Sequence, residues 1–120
     1  MIRAAFESLV FKYRWVLDVL EKLTGRPIHT LNVVGGGTRN TFLNQWIASA
    51  TGRTVKTGPV EATAAGNVLM QMMATGHLDT IAEGRELIRA SFPSETSEPT
   101  GRAQWDDAYP RYCRCVGLGQ

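Results

Sequence analysis

Apolar residues recur every three or four positions at the start of the chain. Ile2, Phe6, Leu9, Tyr13, Val16, Leu17 and Leu20 share one face, which predicts a long helix over residues 2–23. Phe11 and Trp15 lie on the opposite face. Large aromatics there mean either that both sides of the helix are covered, or that the rings are partly exposed beneath Lys and Arg stems. Gly25 fits the position just past a helix end, and Pro27 follows two residues later.

Ile28 to Val34 reads as a strand that climbs to Gly35-Gly36-Gly37. From about Arg39 to Thr51 the set Phe42, Leu43, Trp46, Ile47 and Ala50 forms a helical stripe, stopped by Gly52. Residues 53–57 are short and β-branched, a second strand, and Gly58-Pro59 is a turn. Glu61 opens a further helix with a carboxylate where the dipole favours one. In it Ala65, Val68, Leu69, Met72 and Met73 form the stripe expected to be buried, the methionines as core filler. Thr80-Ile81-Ala82-Glu83 resembles a capping box and starts a shorter helix to about Ala90. Residues 93–99 are a polar, proline-flanked loop. Residues 102–116, with Trp105, Ala108, Tyr109 and Tyr112, form a last helical segment. Two strands among about five helices make a poor sheet alone. The pattern is α/β, helix-rich with few strands, and reads as part of a larger sheet.

The length of 120 residues suits one domain, residues 1–120. Thirteen basic and eleven acidic residues leave a net charge of +2, which offers neither a nucleic-acid footprint nor a membrane patch. No apolar run approaches the ~20 residues of a membrane-spanning helix. Glu7, Lys12 and Arg14 interrupt any secretory leader, so a cytoplasmic setting is expected. Cys113 and Cys115 flank one residue. That spacing suits no structural disulfide and completes no zinc set, so both are read as reduced thiols.

The glycine turn is the one stretch that points to a ligand. Glycine permits positive φ and close approach to the backbone, and a following helix start would offer free N–H groups to an anion. The letters match neither G-x-G-x-x-G nor the P-loop, so a tight αβ connection stands beside the nucleotide reading. No nucleophile–base pair stands out. His29 and His77 are isolated, and Asp106-Asp107 reads as a solvated helix face. Phosphoryl transfer needs a catalytic carboxylate and metal ligands, and no convincing set is present.

Val33–Gln45 with its GGGTRN core, then Thr51-Gly52-Arg53-Thr54-Val55, then Gly58-Pro59-Val60-Glu61-Ala62-Thr63-Ala64-Ala65-Gly66-Asn67 resemble the C-terminal part of the FGGY carbohydrate kinases. Arg3-Ala4-Ala5-Phe6-Glu7 resembles the R-A-x-x-E helix upstream, and Ser91-Phe92-Pro93 through Tyr109 resembles the family's tail. Within the family the motifs are most similar to the branch that passes the γ-phosphoryl group of ATP to O1 of L-rhamnulose. The resemblance implies part of an actin-like (ribonuclease-H-like) ATPase domain, the adenosine-binding part of the second of two kinase domains. Gly35, Gly36 and Gly37 would line ATP by their backbone, and the Asn40 amide would meet the base, with Gly36 and Asn40 as adenosine contacts. The phosphate loops, catalytic aspartate, Mg ligands and sugar site would lie upstream, leaving no catalytic residue here. Ala48-Ser49 stands where the family often has Ala-Asp, and Ser97 where it often has Tyr; both bear on substrate subclass. Three outcomes are open. The first is a kinase fragment inactive alone. The second is an interaction or structural domain, self-associating through an open sheet edge and the helix face of Phe11 and Trp15. The third is a nucleotide-binding module without transfer chemistry.

Overall fold

A computed structural model describes residues 1–118. The elements in order are α1 (Ile2–Thr24), β1 (Thr30–Val33), a 3-10 turn (Gly36–Arg39), α2 (Thr41–Thr51), β2 (Thr54–Thr57), α3 (Ala62–Ala74), α4 (Ile81–Ser91), β3 (Thr96–Ser97) and α5 (Arg102–Val116). The three strands form one sheet in the order β1-β2-β3. Thr54 donates its N–H to the His29 carbonyl and Gly58 to that of Val33. The pairing advances equally along both strands, so β1 and β2 run parallel, joined through α2. The chain is thus helix-rich α/β. It carries one strand more than the sequence pattern predicts, because a two-residue strand is too short to show a period.

The residues divide into two compact units. The first comprises Met1–Leu31, Thr41–Val55 and residues 97–118; the second comprises Asn32–Asn40 and Lys56–Thr96.

The first unit is a packing of α1, α2 and α5. Its buried apolar side chains are Val10, Phe11, Leu17, Ile47, Ala48, Ala50 and Val55. The second half of α2 is covered nearly all round, since Ser49 and Thr51 are buried as well, while Phe42 at its start is 77% exposed. Small side chains at 48–51 let neighbouring backbones close in. Gln45 Nε2 donates to the Glu98 carbonyl at 2.7 Å, and Ser49 Oγ accepts from the Thr100 N–H at 3.2 Å, which ties the segment before α5 to α2.

The two aromatics on the far face of α1 meet different fates. Phe11 is 7% exposed, with the rings of Trp105, Tyr109 and Tyr112 of α5 at 5.4, 5.8 and 5.2 Å. Trp15 stays half-buried, with Lys12 Nζ 4.2 Å above its ring. The expectation that this face is open for self-association is therefore corrected for Phe11, which α5 covers. The residues left open are Ile2, Leu9, Tyr13, Val16 and Leu20, on the face expected to pack. α5 runs through Pro110, whose helix-interior cost of ~3 kcal/mol is offset by the aromatic contacts on either side of it.

Charged side chains of α1 are also engaged within this unit. Arg53 is buried. Its Nε donates to the Ile28 carbonyl at 3.0 Å and its Nη1 to that of Thr51 at 3.0 Å. Its Nη2 lies 2.9 Å from Glu21 and 3.3 Å from Asp18. Arg14 Nη1 bonds Asp106 at 2.7 Å and the Ala50 carbonyl at 3.1 Å, and its guanidinium stacks 4.2 Å over Tyr109. Arg102 also reaches Asp106, at 3.3 Å, so Asp106 is an ion-pair partner and not the freely solvated carboxylate read from the sequence.

In the second unit α3 and α4 pack where Gly84 is buried, a Cβ there falling 3.4 Å from Leu69. Thr80 caps α4, its Oγ1 accepting the Glu83 N–H at 3.2 Å, while Glu83 Oε2 takes the Asp79 N–H at 2.9 Å. The buried stripe expected on α3 is corrected: none of its residues is buried. Val68, Leu69 and Met72 instead line an open apolar groove of about 360 Å³ with Leu87, Ile88 and Phe92. One helix neighbour covers only part of such a stripe.

Replacing Phe11 by Ala is expected to lower unfolding free energy by about 3–5 kcal/mol, the cost of an emptied aromatic site. Trp15→Ala is expected to cost about 1 kcal/mol, near the centre of ordinary substitutions. Chemical denaturation at one fixed protein concentration checks the pair; equal losses would refute the assignment of burial. Two carboxyls set a pH dependence. The Ile28 N–H, and after it Arg53, hold Glu21 below the usual carboxylate range. The Arg14 guanidinium does the same for Asp106. Folded-state values below the unfolded ones (~4) mean stability that is full above that pH and lost as pH falls through the lowered values. Tm is expected to fall between pH ~5 and ~3, and to fall less in Glu21→Gln; identical profiles would remove Glu21 from the account.

Candidate nucleotide-binding site

The glycine turn lies wholly in the second unit. Its conformation is set at Gly35, where φ is 84° and ψ is −163°. That region is essentially closed to any residue with a Cβ. Gly35 donates its N–H to the Pro59 carbonyl at 3.0 Å, and Gly58 donates to the Val33 carbonyl at 2.8 Å. These two bonds cross-tie the segment after β1 to the segment after β2. Gly58 is forced by space: a Cβ there would stand 2.9 Å from Val34 Cγ1. The sequence shows Gly58 as a turn residue and as part of the family motif but not this crowding, which comes from a side chain distant along the chain.

The chain then tightens into the 3-10 turn. Thr38 is buried, and both its N–H and its Oγ1 donate to the Gly35 carbonyl, at 3.1 and 2.7 Å. The Asn40 N–H donates to the Gly37 carbonyl at 3.2 Å. Asn40 leaves helical geometry with φ −91° and ψ 84°, and α2 begins one residue later, in the other unit. The expected run of glycines straight into an α-helix from about Arg39 is therefore corrected. The orphan N–H groups at this turn are those of a 3-10 segment. Gly36 and Gly37 have no positive φ. A Cβ on Gly36 would meet nothing within 4 Å, and one on Gly37 only Val33 Cγ1 at 4.0 Å. Neither packing nor dihedral angle requires glycine at Gly36.

Beside the turn is a cleft of about 310 Å³, lined by Thr38 and Arg39, by residues 57–61, and by Phe92, Pro93 and Glu95. Its back is fixed by the Thr57 N–H donating to the Glu95 carbonyl at 2.9 Å and the Glu95 N–H donating to Thr57 Oγ1 at 2.8 Å. Pro59, Val60, Phe92 and Pro93 give it apolar walls suited to a ring, and Arg39 and Glu61 give it charges of both signs. Glu61 sits at the N-cap of α3 and makes no side-chain cap bond. Of the four predicted site residues, Gly35, Gly36, Gly37 and Asn40 all fall in this turn, while the turn's residues on the cleft wall are Thr38 and Arg39. Arg39, Glu61 and Phe92 were not singled out as site residues from sequence; Phe92-Pro93 next to a polar loop was the available signal.

Elsewhere, His77 Nδ1 lies 2.9 Å from Thr75 Oγ1 at the surface, and Cys113 and Cys115 are free thiols. Burial, then the neighbouring Cys113, pushes the Tyr109 hydroxyl above its ordinary range. Among the described residues no group of three or more His, Cys, Asp or Glu is placed to hold a metal ion. No described helix is long and apolar enough to cross a membrane.

The conformational claims separate the glycines. Gly35→Ala is expected to cost about 1–3 kcal/mol of stability through backbone strain. Gly36→Ala is expected to stay within ~0.5 kcal/mol, as at an unconstrained surface position. Denaturant unfolding of both variants checks this, and a costly Gly36→Ala would overturn the description of Gly36 as unconstrained.

Residues 1–75 match the model of the FGGY family of carbohydrate kinases, C-terminal domain. The chain is 48% identical over 116 residues to a rhamnulokinase of Bacteroides thetaiotaomicron, covering 97% of this chain and 24% of that protein. It is 43% identical over 94 residues to a rhamnulokinase of Bacillus subtilis (78% and 19%), and 47% identical over 97 residues to one of Enterococcus faecalis (79% and 20%). The chain thus spans about a quarter to a fifth of the length of these curated relatives. On the strength of the family match and of these identities, the chain belongs to the FGGY family of carbohydrate kinases.

Proposed function

We propose that this chain supplies the adenosine side of the ATP site of an FGGY sugar kinase, and that residues 1–120 are the adenosine-binding part of its second, actin-like domain. One observation carries the reading. Gly36 is glycine where neither space nor dihedral angle demands it, in a turn pinned by Gly35 beside a cleft with apolar walls. A ligand that lies against the backbone is what such a glycine accommodates. The cleft volume of about 310 Å³ is at the lower edge of small-molecule sites, which suits a nucleoside more than a whole triphosphate.

In this reading Gly35 fixes the turn, Gly36 and Gly37 lie against the nucleoside, and the Asn40 amide meets the base. ATP supplies the γ-phosphoryl group. The relatives' names point to rhamnulose as the acceptor in a chain of their full length. The reading sets that chain in the cytoplasm and takes the L-sugar as its substrate. The catalytic carboxylate, the Mg ligands and the sugar site are assigned to parts of such a kinase outside these residues. Neither a nucleic acid nor a membrane is a partner in this reading.

Isothermal titration of ATP and of adenosine into the purified chain tests it. Both are expected to bind near the millimolar range (~4 kcal/mol) with similar affinity, and Asn40→Ala is expected to weaken both at least fivefold. Rhamnulose phosphorylation by the chain alone is expected to be undetectable. Absence of binding to a well-folded chain would overturn the proposal, and binding untouched by Asn40→Ala would remove Asn40 from the site.

A further inference from the structure

Of the residues that line the cleft beside the glycine turn, Phe92 alone carries an aromatic ring. The backbone leaves that ring little freedom of placement. The Phe92 N–H closes the end of α4 by donating to the Ile88 carbonyl at 3.0 Å. Phe92 itself is extended, with φ −121° and ψ 128°. Pro93 follows, and a residue before proline is pressed out of helical geometry into that region. Two residues after Pro93, the Glu95 N–H donates to Thr57 Oγ1 and the Glu95 carbonyl accepts from the Thr57 N–H. This wall of the cleft is thus tied to α4 on one side and to Thr57 on the other.

The Phe92 side chain is only partly covered, at 38% exposed. It also lines the groove between α3 and α4, with Leu69, Leu87 and Ile88. Among the described residues no second aromatic ring and no cationic side chain lies over it, in contrast to Phe11, which is flanked by three rings of α5. A part-exposed phenyl ring in a cleft wall, with no aromatic neighbour, leaves a π face for a planar group that enters.

We infer that Phe92 is the stacking platform for the base of a bound nucleoside. The inference rests on the nucleotide reading of the cleft and adds to it the residue that meets the base by its face. An amide such as that of Asn40 reads the edge of a base through donor and acceptor positions, whereas a ring responds only to the presence of a planar base. Phe92 therefore contributes affinity for a base and no choice among bases. It lies outside residues 1–75, the part matched to the family's C-terminal domain, so the family match assigns it no role.

Proton NMR titration of adenosine with the purified chain tests the assignment. A base stacked on a phenyl ring lies in its shielding region, so the H2 and H8 resonances of adenosine are expected to move upfield as the bound fraction grows. Phe92→Leu keeps an apolar side chain for the α3–α4 groove but offers no ring. It is expected to weaken adenosine binding about tenfold and to abolish the upfield movement. Phe92→Tyr restores a ring and is expected to bind within about twofold of the wild type. Binding without upfield movement, or Phe92→Leu binding as tightly as the wild type, overturns the role of Phe92 and leaves the nucleotide reading of the cleft standing. An equal loss in Phe92→Tyr and Phe92→Leu overturns it too, since a ring is then not what the site uses. Absence of any adenosine binding to the wild type overturns the nucleotide reading itself, and this inference with it.

Discussion

The guanidinium of Arg53 joins parts of the first unit that nothing else connects so directly. It donates to the carbonyl of Ile28, ahead of β1, and to that of Thr51, at the end of α2. The same group meets Asp18 and Glu21 near the end of α1, and Glu21 Oε1 in turn accepts the Ile28 N–H at 2.6 Å. The turn between α1 and β1 is held by one network, and β2 begins next to it. A buried cation is tolerable because each of its three nitrogens has an oxygen partner, with two carboxylates at Nη2. Its carboxylate partners remain partly exposed, which limits their desolvation cost. Arg53 therefore acts as a geometric tie between α1, the segment ahead of β1 and the end of α2.

Local features of the fold were legible because their causes are local. Gly25 ends α1 in the left-handed conformation at φ 65°, and Thr80 caps α4, both as the letters suggest. Features with distant causes were not. Arg53 reads as an unremarkable strand residue until Asp18 and Glu21 are placed beside it. The choice of buried face on α1 depended on α5, ninety residues away in sequence, whose Trp105, Tyr109 and Tyr112 claim Phe11. Periodicity found both faces of α1 but carried no information on which one the chain's own partner would take.

The site divides in the same way. The glycine run was evident, and so was its place between a strand and a helix. The separate roles of the glycines were not, since dihedral angle constrains Gly35 while Gly36 and Gly37 are left open. Gly58 is required by Val34, and Phe92 reaches the cleft from the far end of α4; neither relation has a sequence spacing to betray it. Asn40 entered through family resemblance, because a single amide after a turn has no pattern of its own.

Among the described residues all seven buried apolar side chains belong to the first unit, whereas the glycine turn belongs to the second. The second unit is held by backbone bonds among Val33, Gly35, Gly58 and Pro59, by the Thr57–Glu95 pairs, and by the half-open contact of α3 with α4. Segments with few buried apolar contacts open at lower free energy than packed cores. A ligand that bound only the closed turn would add its binding free energy to that unit's order. Measured affinity for a nucleoside would then be the intrinsic affinity reduced by the fraction of turns open at any moment. On the proposed reading, strengthening the α3–α4 contact at Gly84 and Leu69 should raise affinity without touching a residue of the cleft wall. Under the proposed reading, preorganisation of the turn would set how much of the intrinsic affinity for a nucleoside is realised.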